Sequence, residues 1–156
     1  MEKTIYLERF EGKYKFLSNL WPCRIYLDGI EFHTVEHAYQ AAKVADQQLK
    51  KRIASCRSAG EARQVASKMP LRPDWKEVKL QIMEELIRKK FLLNRTLGAD
   101  LMSTYPADIV IGSMTGDTFW GVHEGVGLNL LGKILMKVRE ELIEEKRPPG
   151  EGNNNN

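Results

Sequence analysis

Glu36, Gln40 and Lys43 occupy positions i, i+4 and i+7 of a stretch with helical periodicity. A helix places such residues on one face, so a carboxylate, an amide and an ammonium would line up beside the apolar face and could grip a polar ligand. A blander alternative is that Glu36 complements the positive end of the helix dipole while Gln40 and Lys43 are solvated. Spacing alone leaves both readings open.

A second constellation runs from Asp117 through Phe119, Trp120 and Gly121 to Gly125, Gly127, Asn129 and Gly132. It sets an acid, an indole and several glycines around a helix start, where backbone N–H groups can receive a phosphate. The alternative is a glycine-rich turn with a core Trp120 and Asp117 as an ordinary turn residue. The spacing is neither that of a P-loop nor that of a dinucleotide-binding fingerprint.

His33-Thr34-Val35-Glu36-His37 matches H-x-x-E-H, the pattern of inverted zinc peptidases, in which two histidines on a helix bind zinc and the glutamate activates water. Both histidines must then share a helical face. Thr34 has the character of an N-cap and His33 follows a strand signal at Ile30-Glu31-Phe32, so His33 falls outside the helix and no metal is expected. His123, in a glycine-rich loop, does not supply the missing ligand. Trp75, at the start of a long helical pattern, reads as a core or helix-start residue, although an indole in a cleft can also stack on a flat base.

The elements that must carry these residues follow from periodicity. Tyr14, Phe16, Ile25, Tyr26, Leu27, Ile30 and Phe32 read as short strands, with a hairpin turn at Asp28-Gly29. Thr34 then opens a helix to about Ala45, buried through Val35, Ala38, Tyr39 and Ala42. Two short helices are expected between Gln47 and Met69. Asp74 and Glu77 have capping-box-like spacing at the head of the longest helix, where Val78, Ile82, Leu86 and Met83, Ile87, Phe91 form adjoining stripes. A short helix near Thr96 to Met102, a buried strand at Ile109-Val110-Ile111 and a last helix through Leu131, Ile134, Leu135, Val138 and Leu142 complete the order. The fold expected is α+β: a single, mainly helical domain over residues 1–146 with a small antiparallel sheet, followed by a disordered tail from Arg147.

With 156 residues, 42% hydrophobic and 29% charged, the composition is that of an ordinary globular protein. The net charge of +3 comes from interspersed charges and gives no electrostatic case for a dedicated DNA or membrane binder. No apolar run is long enough to span a bilayer, and the charged start lacks a signal-peptide core, so a cytoplasmic location is expected. Cys23 and Cys56 form no C-x-x-C pair and read as free thiols.

Phe16-Leu17-Ser18-Asn19, the run Thr34 to Lys43, Asp74-Trp75, Lys90-Phe91, Asp117-x-x-Trp120-Gly121 and Gly127-x-Asn129-x-x-Gly132 together resemble the YbiA-like, or NADAR, family. The Thr34–Lys43 run and the final two blocks are the specific parts. The resemblance implies N-glycosidase activity on early riboflavin-pathway intermediates, the ribosylaminopyrimidine 5′-phosphates. In some relatives it implies removal of ADP-ribose from guanine bases, so nucleic acid would enter only as a modified substrate. It places Glu36, Trp75 and Asp117 among the critical residues, with Ser18, Asn19, Lys43, Trp120 and Asn129 in support. Many relatives carry a glutamate just before the Asp-x-x-Trp-Gly block, where this chain reads Ile111-Gly112-Ser113-Met114-Thr115-Gly116.

Breaking a ribosyl C–N bond builds positive charge on the sugar and negative charge on the departing base, so carboxylates and a proton source lower the barrier. On this reading Glu36 and Asp117 are catalytic. Ser18, Asn19, Gln40, Lys43, Trp75, Trp120, Gly121 and Asn129 bind substrate, and no cofactor is required. A module that binds ADP-ribose or a related nucleotide without turnover is the rival from another class.

Overall fold

In a computed structural model of the chain, residues 3–9 and 11–150 are described. Met1, Glu2, Phe10 and residues 151–156 lie outside them, and with them most of the expected C-terminal tail. The elements run β1 (Thr4–Leu7), a 3-10 turn (Gly12–Leu17), β2 (Ile25–Leu27), β3 (Ile30–Phe32), α1 (Val35–Ala42), α2 (Gln47–Ala54), α3 (Ala59–Ser67), α4 (Trp75–Leu93), α5 (Arg95–Ser103), β4 (Asp108–Ile111) and α6 (Leu130–Lys146). Two compact units divide the chain. One comprises residues 9–97; the other comprises residues 1–8 and 98–156.

In the unit formed by residues 9–97, β2 and β3 make the expected antiparallel hairpin, with Ile25 opposite Phe32 and Leu27 opposite Ile30. Asp28 (φ 52°) and Gly29 (φ 77°) both take positive φ, as a two-residue hairpin turn of this twist requires. Lys50 ion-pairs with Asp28 and so ties α2 to the turn. The core gathers Ile25, Phe32, Val35, Ala38, Ile53, Leu86, Ile87 and Phe91, all buried. The adjoining stripes read along α4 are thus present in part, through Met83, Leu86, Ile87 and Phe91.

Three expectations for this unit need correction. Tyr14 and Phe16 lie in a 3-10 turn and not in a strand, the turn beginning at Gly12 with φ 65°. Helix α1 ends at Ala42 with Lys43 as its C-cap, short of the expected end near Ala45, although the apolar stripe of Val35, Ala38, Tyr39 and Ala42 is kept. Asp74 heads α4 but makes no side-chain cap. Its carboxylate instead takes a two-pronged hydrogen bond from Arg72, Nε at 2.6 Å and Nη2 at 3.0 Å, a geometry that a guanidinium fork favours over a single capping bond.

The second unit is organised by β4. Its partner is β1, in parallel register from Thr4 opposite Asp108 to Leu7 opposite Ile111. The antiparallel expectation therefore holds for the hairpin, and a second, parallel ladder accompanies it. Ile5 and Leu7 are buried and alternate with exposed Thr4 and Tyr6, the period of a half-buried strand. Helix α6 packs its Leu131, Ile134, Leu135, Val138 and Leu142 stripe inward, as expected. Arg139, also buried, donates from Nη1 to Thr104 Oγ1 at 3.1 Å and to the Ala107 carbonyl at 2.7 Å. Among the described residues, no helix is long and apolar enough to cross a membrane.

Candidate functional site

Helix α1 owes its start to two caps. Thr34 Oγ1 accepts the His37 N–H at 3.0 Å, and the Asn19 carbonyl accepts the Glu36 N–H at 3.1 Å, so two of the N–H groups a helix start leaves unpaired are satisfied. Thr34 is the N-cap, as its residue type predicts, and exposed His33 lies before it. His37 is buried, with Nδ1 2.7 Å from Thr34 Oγ1 and Nε2 3.1 Å from the Cys56 carbonyl. A carbonyl can only accept, so Nε2 donates to Cys56. Both ring nitrogens are engaged, which opposes the inverted-zinc-site reading. Among the described residues, no three His, Cys, Asp or Glu side chains converge as a metal site would require.

The predicted row on α1 exists. Glu36 is only 7% exposed, and its Oε1 accepts from Gln40 Nε2 at 2.9 Å, which confirms that the two side chains share a face. The same oxygen accepts from Arg63 Nε at 2.8 Å. Among the described residues, the side-chain donors to this carboxylate both reach Oε1, so it is held through one oxygen. Gln40 is buried, which rules out the alternative in which it is merely solvated.

Lys43 closes the row at the C-terminal end of α1. Its ammonium lies 5.5 Å from the Tyr39 ring centroid and 5.9 Å from that of Trp75, and these two rings pack 5.1 Å apart at a tilt of 56°. Burial pushes the Lys43 pKa below the ordinary lysine value; Glu36 opposes this shift, and Arg63 and Lys79 add to it. Trp75 is 8% exposed, so it serves as core and as one wall beside Lys43.

Ser18 and Asn19 sit in the loop that leads from the 3-10 turn towards β2. Ser18 is buried and its Oγ accepts the Leu20 N–H at 3.0 Å. Asn19 presents its carbonyl to Glu36 and its amide to Met83 Sδ at 3.6 Å. The structure thus gathers Ser18, Asn19, Glu36, Gln40, Lys43 and Trp75 in one unit.

The remaining candidates belong to the other unit. Asp117 is half-buried and its Oδ1 accepts the N–H groups of Phe119 and Trp120, both at 2.9 Å, the turn-forming habit of a short carboxylate. Trp120 is half-buried and meets Phe119 edge-on at 4.7 Å. Asn129 is the N-cap residue of α6 with φ 52°, but its side chain makes no cap hydrogen bond. Instead its Oδ1 accepts the Ile111 N–H and its Nδ2 donates to the Ile109 carbonyl, both at 2.9 Å, so its amide covers the edge of β4 turned away from β1.

Of the two readings left open for the start of α6, a phosphate cradle and a closed glycine-rich turn, the bonding of four amides there favours the turn. The N–H groups of Leu128, Asn129, Leu130 and Leu131 are bonded to the carbonyls of Thr118, Gly121, Phe119 and Trp120 at 2.8–3.2 Å. The glycines permit this close strapping. A Cβ on Gly121 would lie 2.5 Å from the Ile111 carbonyl oxygen, and one on Gly127 only 2.3 Å from that of Gly121.

Two residues received no role in the sequence reading, Lys90 being named there only within the Lys90-Phe91 block. Arg63 pairs with Glu36 across 27 positions, and nothing in the local pattern of α3 announces it. Lys90 carried a visible signal: it continues the Val78, Ile82, Leu86 spacing, a lysine where the stripe asks for an apolar side chain.

The profile of the NADAR domain matches residues 5–143. The chain is 38% identical over 130 residues to N-glycosidase YbiA of Escherichia coli, covering 81% of this chain and 79% of that protein. It is also 38% identical over 145 residues to an N-glycosidase of Nostoc punctiforme, covering 89% of this chain and 92% of that one. A riboflavin biosynthesis protein of Vibrio vulnificus is 35% identical over 147 residues, but the match covers 92% of this chain and only 40% of that longer protein. The NMR structure of E. coli YbiA superposes with a TM-score of 0.82 at 32% identity, over 97% of this chain and 94% of that one. These matches, over most of the chain and of its N-glycosidase relatives, establish that the chain belongs to the NADAR domain family.

Proposed function

We propose that the protein is an N-glycosidase that hydrolyses the bond between a nitrogenous base and a phosphorylated ribose, with ribosylaminopyrimidine 5′-phosphates of the riboflavin pathway as its substrate class. The observation that carries this reading is Glu36: a buried carboxylate held through Oε1 by Gln40 and Arg63. The N-glycosidase names of the E. coli and N. punctiforme relatives and the riboflavin name of the V. vulnificus one support the reaction and the substrate class.

In the mechanism, Glu36 Oε2 orients a water towards the ribose anomeric carbon and stabilises the positive charge that develops there. The C–N bond electrons leave with the base; the water oxygen bonds the anomeric carbon and gives one proton to Glu36, and one proton passes to the base, so the water is divided between sugar and base and Glu36 returns to its carboxylate form. Holding the carboxylate by its other oxygen keeps it aimed without reorganisation during the reaction. Lys43 neutralises substrate phosphate; a cation already depressed by burial is stabilised by an incoming anion. Asp117 serves the ribose hydroxyls or the departing base, and Trp120, less buried than Trp75, stacks on the base. Residues 1–146 act as one NADAR domain. The free thiols Cys23 and Cys56 fit a cytoplasmic setting.

The test is release of ribose 5-phosphate from a ribosylaminopyrimidine 5′-phosphate, followed by mass spectrometry with and without a chelator. Release that survives chelation supports the proposal. Release only from ADP-ribosylated guanine would replace the substrate, and tight nucleotide binding with no product from either would replace the activity.

A further inference from the structure

Lys90 is only 1% exposed, and the reaction described above does not use it. From the interior face of α4 its Nζ donates to the carbonyls of Phe16, at 2.6 Å, and Ser18, at 2.8 Å. Its third neighbour of note is the Phe91 ring, with the centroid at 5.0 Å. The Phe16–Ser18 segment is buried at the end of the 3-10 turn, where Ser18 is extended (ψ 141°). The Ser18 carbonyl also accepts the Trp21 N–H at 3.1 Å, so Lys90 is its second donor; a buried carbonyl without a donor is costly, and one ammonium reaches both this carbonyl and that of Phe16.

The next residue links this anchor to the candidate site. The Asn19 carbonyl receives the Glu36 N–H at 3.1 Å, so the loop fixed by Lys90 is the platform on which α1 begins. We infer that Lys90 is a positioning residue for Glu36: its ammonium pins the Phe16–Ser18 backbone, the pinned loop sets the Asn19 carbonyl, and that carbonyl sets the first turn of α1. This inference rests on the reading that Glu36 serves the reaction. It adds a residue that touches no substrate and acts through hydrogen bonds on another element.

Burial lowers the Lys90 pKa to about 8, with the Cys23 thiol the titratable group facing it. Cys23 itself is pushed up by burial, against the pull of Lys90. The anchor therefore changes its charge in a range that can be scanned with the folded wild-type protein.

The experiment has two arms. In the first, Lys90→Met is compared with wild type in ribose 5-phosphate release, at a temperature where both are folded. The expected result is a fall in kcat of about tenfold or more with KM changed less than about threefold, since the phosphate and base contacts are left in place. A folded Lys90→Met with kcat within twofold of wild type overturns the inference. In the second arm, the backbone amide shifts of Asn19 and Glu36 are followed by NMR from pH 6 to 10 in wild type and Cys23→Ser. Both amides should titrate together with the Lys90 side-chain resonance, at an inflection near pH 8 that survives Cys23→Ser; amides that stay flat while Lys90 titrates overturn it. This arm needs neither turnover nor the Lys90 variant, so failure of the inference is separable from failure of the proposed activity.

Discussion

Asn129→Ala tests how the second unit holds its central strand. The Asn129 amide makes two hydrogen bonds of 2.9 Å to β4, one to the Ile111 N–H and one to the Ile109 carbonyl. Ile109 is 0% exposed, so water cannot replace these bonds without opening the strand. Each stranded backbone group costs about 1–3 kcal/mol; taking roughly 1.5 for each gives about 3 kcal/mol for the pair. Alanine must also hold the left-handed φ of 52° that asparagine tolerates, which adds about 1 kcal/mol. The sum, about 4 kcal/mol, corresponds to a fall in Tm of roughly 8–16 °C for a chain of this size. Thermal and urea unfolding would read it. Asn129→Gly loses the bonds but not the backbone fit, so it should fall short of the alanine variant by about 1 kcal/mol. An alanine variant that melts within about 2 °C of wild type refutes the reasoning.

Three further outcomes follow. Arg63→Gln should raise the Lys43 pKa, because Arg63 is one of the groups that lowers it, while Glu36→Gln should lower it further; NMR titration of the Lys43 side chain checks both signs. Gly132→Ala should destabilise by about 1–3 kcal/mol, because its Cβ would lie 2.3 Å from the Ile109 carbonyl oxygen and 2.5 Å from the Asn129 amide; denaturant unfolding measures it. Lys90 should give Cys23→Ser protein a stability that rises between pH 8 and 10.5. Its folded pKa is about 8 against 10.5 unfolded, so the unfolded chain binds more protons in that window, by up to roughly 3 kcal/mol in all. The Cys23→Ser background removes the thiol, whose raised pKa acts with the opposite sign. Urea midpoints across the window decide it.

What the sequence disclosed was local. The hairpin at Asp28-Gly29, the Thr34 cap, the face shared by Glu36 and Gln40, and the stripe of α6 all follow from residue types a few positions apart, and each is present. What it concealed was pairing at a distance. β1 alternates Thr4, Ile5, Tyr6, Leu7 in the period of a strand, yet four residues carry little signal without their partner at Asp108–Ile111. Arg63 reaches Glu36 from another helix, and Arg72 takes Asp74 away from its cap. The glycines of the last motif left two readings open for a related reason. Their spacing allowed either open N–H groups or a closed turn, and the amides of residues 128–131 are closed by carbonyls of the Thr118–Gly121 turn, a contact only the folded loop reveals.

The central claim is that Glu36 drives cleavage of a ribosyl C–N bond, and Glu36→Gln addresses it most directly. Glutamine keeps the shape and one carbonyl oxygen for the Gln40 and Arg63 donors, but it removes the charge that faces the sugar. Single-turnover release of ribose 5-phosphate from a ribosylaminopyrimidine 5′-phosphate should fall by about 10²–10⁴-fold, the span expected for loss of a catalytic carboxylate. Release by the variant within tenfold of wild type would contradict the account.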